Sequence, residues 1–177
     1  MATTTAYAYE RIYEVLIKGK GTNRTLAASD RFVEGYPPGY SLDERATRAK
    51  LTPAVFVAFS EWSASDFAAG EMTNDHIYLI SVTVFRDHWL GFQGDPAEVQ
   101  AQQVKADNAF LRMRPALCWP GNLVQTEGGN ATGFATDALD ASKASSRMVR
   151  DANLGGDGRL LQFVDKFRAV FSFAPDG

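Results

Sequence analysis

Arg159-Leu-Leu-Gln-Phe-Val-Asp-Lys-Phe-Arg-Ala-Val-Phe-Ser-Phe173 closes the chain and decides how the rest of it is read. Leu161, Phe163, Phe167, Ala169, Phe171 and Phe173 form an apolar row at alternate positions, broken once by Asp165. Gln162, Lys166, Arg168 and Ser172 lie between them. Period-two alternation marks a strand with one face on a core. Fifteen residues at ~3.3 Å each span roughly 50 Å, far beyond a common strand of about six residues. Such a strand is expected to bulge, bend or reach past its own domain to a neighbour. Asp165 is the expected point of the bulge or departure.

Working outward, Ser145–Arg150 reads as a strand paired with this one through a hairpin loop, Asp151–Gly158. Upstream, Gln125–Ser142 is small, polar and glycine-rich, with Phe134 and Leu139 its only large apolar residues. A loop that long is a candidate for function. Asp95-Pro-Ala-Glu98 carries a capping residue, a proline suited to the first helical position and an acid behind it. The helix it opens is expected to end near Met113, because Pro115 disfavours helical geometry at Arg114. Its expected apolar stripe is Ala97, Ala101, Val104, Phe110 and Leu111.

Ala54–Phe59 and the β-branched run Ile77–Phe85 form an expected antiparallel pair. Tyr9, Ile12, Tyr13, Leu16 and Ile17 recur at helical spacing. Phe32–Gly35 suggests a short strand, and Ser41-Leu-Asp-Glu44 a capped helix of one or two turns. The expected fold class is α+β: a mostly antiparallel sheet of about four main strands, helices packed on one face, in the order α-β-β-α-β-β. One domain over residues 1–177 is expected, with loop insertions near 23–50 and 120–144.

Composition narrows the function. A hydrophobic share of 45% and a charged share of 22% are those of an ordinary folded protein. A net charge of -3 and a pI near 5.4 lack the footprint of a nucleic-acid reader. They do allow a wall that DNA slides past, which is better off unattractive to phosphate. The single cysteine, Cys118, rules out an intrachain disulfide and reads as a packing residue. Met1-Ala-Thr-Thr-Thr lacks the basic start and apolar core of a signal peptide, and no apolar run approaches the ~20 residues of a membrane span. A soluble protein from a reducing compartment is expected, with no membrane contact.

Catalytic patterns fail one by one. Lys18-Gly-Lys-Gly-Thr22 lacks phosphate-loop spacing and a preceding strand. Asp151-x-Asn153-x-x-Gly156 has Gly155 and Gln162 where a calcium loop needs ligands. His76 and His88 flank one strand, roughly 40 Å apart if it is extended, and read as surface residues at its ends. No nucleophile elbow accompanies them. The sequons at Asn23 and Asn130 carry no weight without a secretory signal. The aromatic groups Phe56/Phe59/Trp62 and His88/Trp89/Phe92 lack the interleaved bases of a nucleic-acid platform and read as core or subunit contacts. No catalytic, cofactor-binding or metal-binding residue is expected, and no enzyme.

The chain resembles the bacteriophage tail-terminator proteins and the related minor tail and neck proteins. The resemblance lies in the N-terminal helix, Val33-Glu-Gly-x-Pro-Pro-Gly39, Pro53-Ala-Val-Phe-Val-Ala58, the strand Ile77–Phe85 and the capped helix from Pro96. It continues through Ser146-Arg-Met-Val-Arg-Asp151, Asp157-Gly-Arg159 and Phe167-Arg-Ala-Val-Phe171, and so covers nearly the whole chain in order. The long 125–142 insert and the extended 23–50 segment depart from compact members. The resemblance implies a structural virion protein, assembled in the host cytoplasm and located in the tail or neck. It implies a homo-oligomer, a six-fold ring, on the head-proximal end of the tail tube. That ring stops growth of the tail tube protein, meets the head connector or neck protein, and lets DNA through without sequence-specific binding. Subunit-interface or lumen candidates are Gln162, Lys166, Arg168, Asp165, Arg147, Arg150 and Phe134. The alternatives are a neck or head-completion protein and, from another class, a small-ligand-binding or enzymatic α+β domain.

Overall fold

Tyr9, Ile12, Tyr13 and Leu16 do form one face of a helix, α1 (Thr5–Lys18), with Ile12, Val15 and Leu16 fully buried. The computed structural model describes residues 5–50, 52–64, 76–91, 95–119, 121–127, 130–133, 139–154 and 158–173. After α1 come the short strand β1 (Val33–Glu34), helix α2 (Leu42–Ala49), and strands β2 (Ala54–Ala64) and β3 (His76–Leu90). Helix α3 (Pro96–Cys118) and the small hairpin β4 (Val124–Glu127) and β5 (Asn130–Gly133) follow. Strands β6 (Leu139–Asn153) and β7 (Arg159–Phe173) end the fold. The main sheet has five strands in the order β1-β2-β3-β7-β6. It is antiparallel except where β1 runs parallel to β2.

The α+β class stands, but the expected strand count and element order are corrected. β1 adds a fifth strand to the sheet, and α2 falls between β1 and β2. Helices on one face only is also corrected. α1 and α3 cover Val55, Val57, Ile80, Val82, Val84, Phe167 and Ala169 on one face, while α2 sets Ala46 and Ala49 against Ala54 and Leu160 on the other. The short α2 stands because its cap is complete. The Ser41 hydroxyl accepts from the Glu44 N–H, and the Glu44 carboxylate accepts from the Ser41 N–H.

β7 pairs with β3 at every position from Arg159 to Phe173, with no register break. Its length is therefore spent inside its own sheet, and the expected bulge at Asp165 is absent. The register breaks fall in β6, between Asp140 and Ser145 and between Met148 and Arg150. β7 is an interior strand, so the edge free to meet a neighbour belongs to β6. Gln125–Ser142 is not simply loop either, since it holds most of β4, all of β5 and the start of β6.

α3 runs on through Pro115 to Cys118, five residues past the expected stop. Met113, Ala116 and Leu117 are buried at helical spacing beyond the turn where the proline removes one N–H. That burial outweighs one missing bond. Its inward stripe includes Ala106, Met113, Ala116 and Leu117, whereas Val104 and Leu111, expected inside, are 46% and 59% exposed.

Candidate functional site

Three polar residues in a row, Arg86-Asp87-His88, sit buried toward the C-terminal end of β3. Neighbours on a strand point to opposite faces. Arg86 and His88 therefore face α3, and Asp87 faces α2. Arg86 is fully buried and pairs with Asp165 of β7, equally buried, through Nε at 2.6 Å and Nη2 at 3.2 Å. Nη1 donates to the Ala106 carbonyl of α3 and to His88 Nε2, both at 2.7 Å. Nη2 also donates to the Ser146 hydroxyl of β6 at 3.2 Å. That hydroxyl donates in turn to Asp165 at 2.5 Å. The guanidinium lies 4.2 Å from the centre of the Phe163 ring. Every N–H of this arginine has an acceptor.

An arginine cannot accept, so His88 Nε2 must, and the imidazole proton sits on Nδ1. Burial first, then the nearby Arg86 and Lys105 charges, lower the His88 pKa to about 3. His88 was expected at the surface and is instead buried. The reason is its place on the same face as Val82 and Val84, one step beyond Arg86.

On the opposite face, Arg45 of α2 grips Asp87 in a two-pronged pair at 2.9 and 2.7 Å. Gln162 joins from β7. With its amide oxygen toward Arg45, the orientation the surrounding donors favour, that oxygen accepts at 3.2 and 2.9 Å. Burial pushes the Asp87 carboxyl above the usual carboxylate range, against the pull of Arg45. Gln162 and Asp165, expected at an interface or lumen, are thus buried members of two polar clusters within the single chain.

Above the Arg86 cluster a cleft of about 310 Å³ opens between α3 and β6. Gln103, Asp107, Phe110 and Leu111 line one side, Ser146 and Met148 the other, with Arg86 and Phe163 beneath. Polar groups converge there in a concavity, the arrangement an enzyme reading requires. Its polar floor is mutually bonded, while Asp107 at the rim is exposed. Gln103 donates to Asp107 at 3.2 Å, and Arg86, Ser146 and Asp165 close on each other. Toward solvent stand the Asp107 carboxylate and the apolar flank of Leu111, Phe110 and Met148.

Comparison of the sequence with protein-family models and with curated proteins finds no match.

The other expected contact residues divide clearly. Arg147, Arg150, Lys166 and Arg168 are exposed. Registers Arg147↔Val164 and Arg150↔Gln162 put all of them on the face that α2 covers only at one end. Glu61 is the acid among them. Its carboxylate accepts from Ser81 at 2.8 Å and lies 3.5 Å from Lys166, and these hold it below its ordinary pKa. Phe134 lies outside the described residues. Among those residues no group of His, Cys, Asp and Glu could hold a metal ion, and no helix is long and apolar enough to cross a bilayer.

The two sheet edges differ in kind. Beyond β1, the edge of β2 is closed by α1: the Tyr13 hydroxyl accepts from Val57 N–H at 2.8 Å, and Tyr9 from Phe59 N–H at 2.9 Å. At the other edge Ser145–Arg150 of β6 are all exposed, Met148 and Val149 each at 47%. Sequence reasoning missed Arg86, Asp87, Arg45 and these tyrosines. A findable signal existed for one pair. Past its first residue, Arg159, the odd row of β7 contains one charge, Asp165, and the even row of β3 contains one of opposite sign, Arg86.

Proposed function

We propose that this chain is a structural virion protein. It forms a ring at the head-proximal end of a phage tail tube, stops tube growth there and joins the tail to the head connector. The observation that carries this reading is the asymmetry of the sheet, with one edge closed by tyrosine hydroxyls and the other left open along β6. An open edge can recruit a further chain, and a contact between unlike surfaces of identical subunits propagates into a ring when its rotation closes. The order of elements that resembles tail terminators adds to it. Its partners are then other copies of itself, the tail tube protein and the connector, with DNA passing through the ring.

The enzymatic alternative has the cleft in its favour, but a general acid, base or nucleophile needs an uncommitted group. The cleft's Arg86, Ser146 and Asp165 are bound to one another. Negative-stain imaging of the protein mixed with its tail tubes tests the reading. Tubes capped at one end by a ring, with growth halted, are expected. Tubes that keep lengthening with bare ends in excess protein would sink it.

A further inference from the structure

We propose that the cleft between α3 and β6 seats Trp62 of a second copy of this chain, in a head-to-tail contact that also brings that copy's Glu61 to Arg147 and Arg150. The proposal rests on the ring reading and names its interface.

The cleft asks for an apolar guest. α3 spends Ala106, Met113, Ala116 and Leu117 on its own core, yet leaves Leu111 59% exposed. Met148 faces it from β6 at 47% exposure. Because the polar floor is self-satisfied, a ligand's polar groups gain no new partner from it, while apolar surface gains burial against Leu111, Phe110 and Met148. The 310 Å³ volume is within the range of roughly 300–1,000 Å³ that seats organic groups the size of an indole.

A matching knob stands at the opposite end of the sheet. Tyr9 stacks on Phe59 at 4.0 Å, and Trp62 meets Phe59 edge-on at 6.2 Å, so a run of rings leads from α1 out to the edge. Glu61 has φ of +55°, rare outside glycine, at the register break between Ser60 and Ser63. That kink leaves Trp62 44% exposed. Tryptophan is among the residues most enriched at binding hot spots.

Faces and charges agree. Trp62, through Phe59, belongs to the face covered by α1 and α3, and the cleft opens on that same face. Glu61 reaches Ser81 and Lys166 on the other face, where Arg147 and Arg150 lie. Two sheets laid edge to edge with the same face up therefore set ring against cleft and acid against base. The Glu61–Lys166 pair is exposed and long, so exchanging it costs little. Two β6 strands meeting each other would instead oppose arginine to arginine, which is destabilising. Unlike ends that fit are what a closed ring requires.

The test uses the full chain in a Cys118→Ser background, with Trp62→Cys and Leu111→Cys made separately. Mixing the two with a short thiol cross-linker should give a covalent dimer that neither gives alone. In parallel, Trp62→Ala should weaken self-association at least about tenfold by sedimentation. Glu61→Arg should weaken it too, with recovery on Arg147→Glu/Arg150→Glu. Oligomers that persist undiminished in Trp62→Ala, with no mixed cross-link, overturn this contact and leave the ring standing. Cross-linking of Leu111→Cys alone overturns it in favour of a two-fold dimer. A chain that stays monomeric, even beside tail tubes, overturns both.

Discussion

His88 shows how much one buried side chain can couple this fold to pH. Its imidazole titrates near 3 in the folded protein against an ordinary 6.5, so the unfolded chain takes up the proton first. Stability is therefore full above pH 6.5 and is lost as pH falls toward 3. Between pH 7.5 and pH 5 the loss from this group is about 2 kcal/mol. His88→Gln keeps an acceptor for Arg86 but cannot charge. Urea midpoints of the variant should hold nearly level over that interval while the parent's drop, and parallel curves would refute the assignment. In the sequence this histidine was visible only as a strand-end residue. Periodicity tells which face a residue takes, not that α3 lies over it. The same blindness applies to Asn122, fully buried, whose amide oxygen accepts from the Thr22 and Asn23 N–H groups and whose NH2 donates to the Asn23 and Ala116 carbonyls. Nothing within Trp119-Pro-Gly-Asn122 announces a partner a hundred residues away.

At the scale of elements, the sheet is closed on one side by two hydroxyl groups. Tyr9 and Tyr13 lie four apart on α1, one turn of helix, and reach N–H groups two apart on β2. Replacing both by phenylalanine keeps the packed rings but strands two edge donors. A loss of roughly 1–3 kcal/mol in urea unfolding is expected, with a lower concentration threshold for aggregation by light scattering. A double variant as stable and as soluble as the parent would show that the caps are incidental. The helical face of α1 and the β2–β3 pair were legible because their periodicity is local. α2 on the far face was not, since which side a capped helix of 8 residues covers depends on loop geometry. Gly158 belongs to this scale too. A side chain there would stand 2.0 Å from the Trp89 ring, so the start of β7 lies tightly against an aromatic floor.

Across the whole molecule, length misled where alternation did not. The overlong C-terminal strand pointed to assembly, yet it lies wholly inside the sheet. The hint moved to β6, whose small polar sequence gave it no prominence. The long strands also raise a question of alignment. β3 and β7 are 15 residues each and apolar in alternation, and apolar pairs alone would tolerate sliding by two. Arg86 and Asp87 are adjacent but find their partners on opposite faces, Asp165 above and Arg45 below. A slip of one residue carries Asp165 to the Arg45 side, leaving two carboxylates there and Arg86 without a counter-charge. A slip of two moves Asp165 a full step further from Arg86 in one direction; in the other it sets Asp165 directly opposite Arg86 but draws Gln162 away from Asp87 and Arg45. Removing a buried pair and filling its volume with apolar residues is often close to neutral for stability. Arg86→Met/Asp165→Leu should therefore stay folded but refold with an added slow phase by stopped-flow fluorescence; a single phase at the parent's rate would dismiss the idea. The two ion pairs then act as a spelling check on the fold: a chain misaligned by one residue is not merely less well packed but electrically wrong on both sides at once.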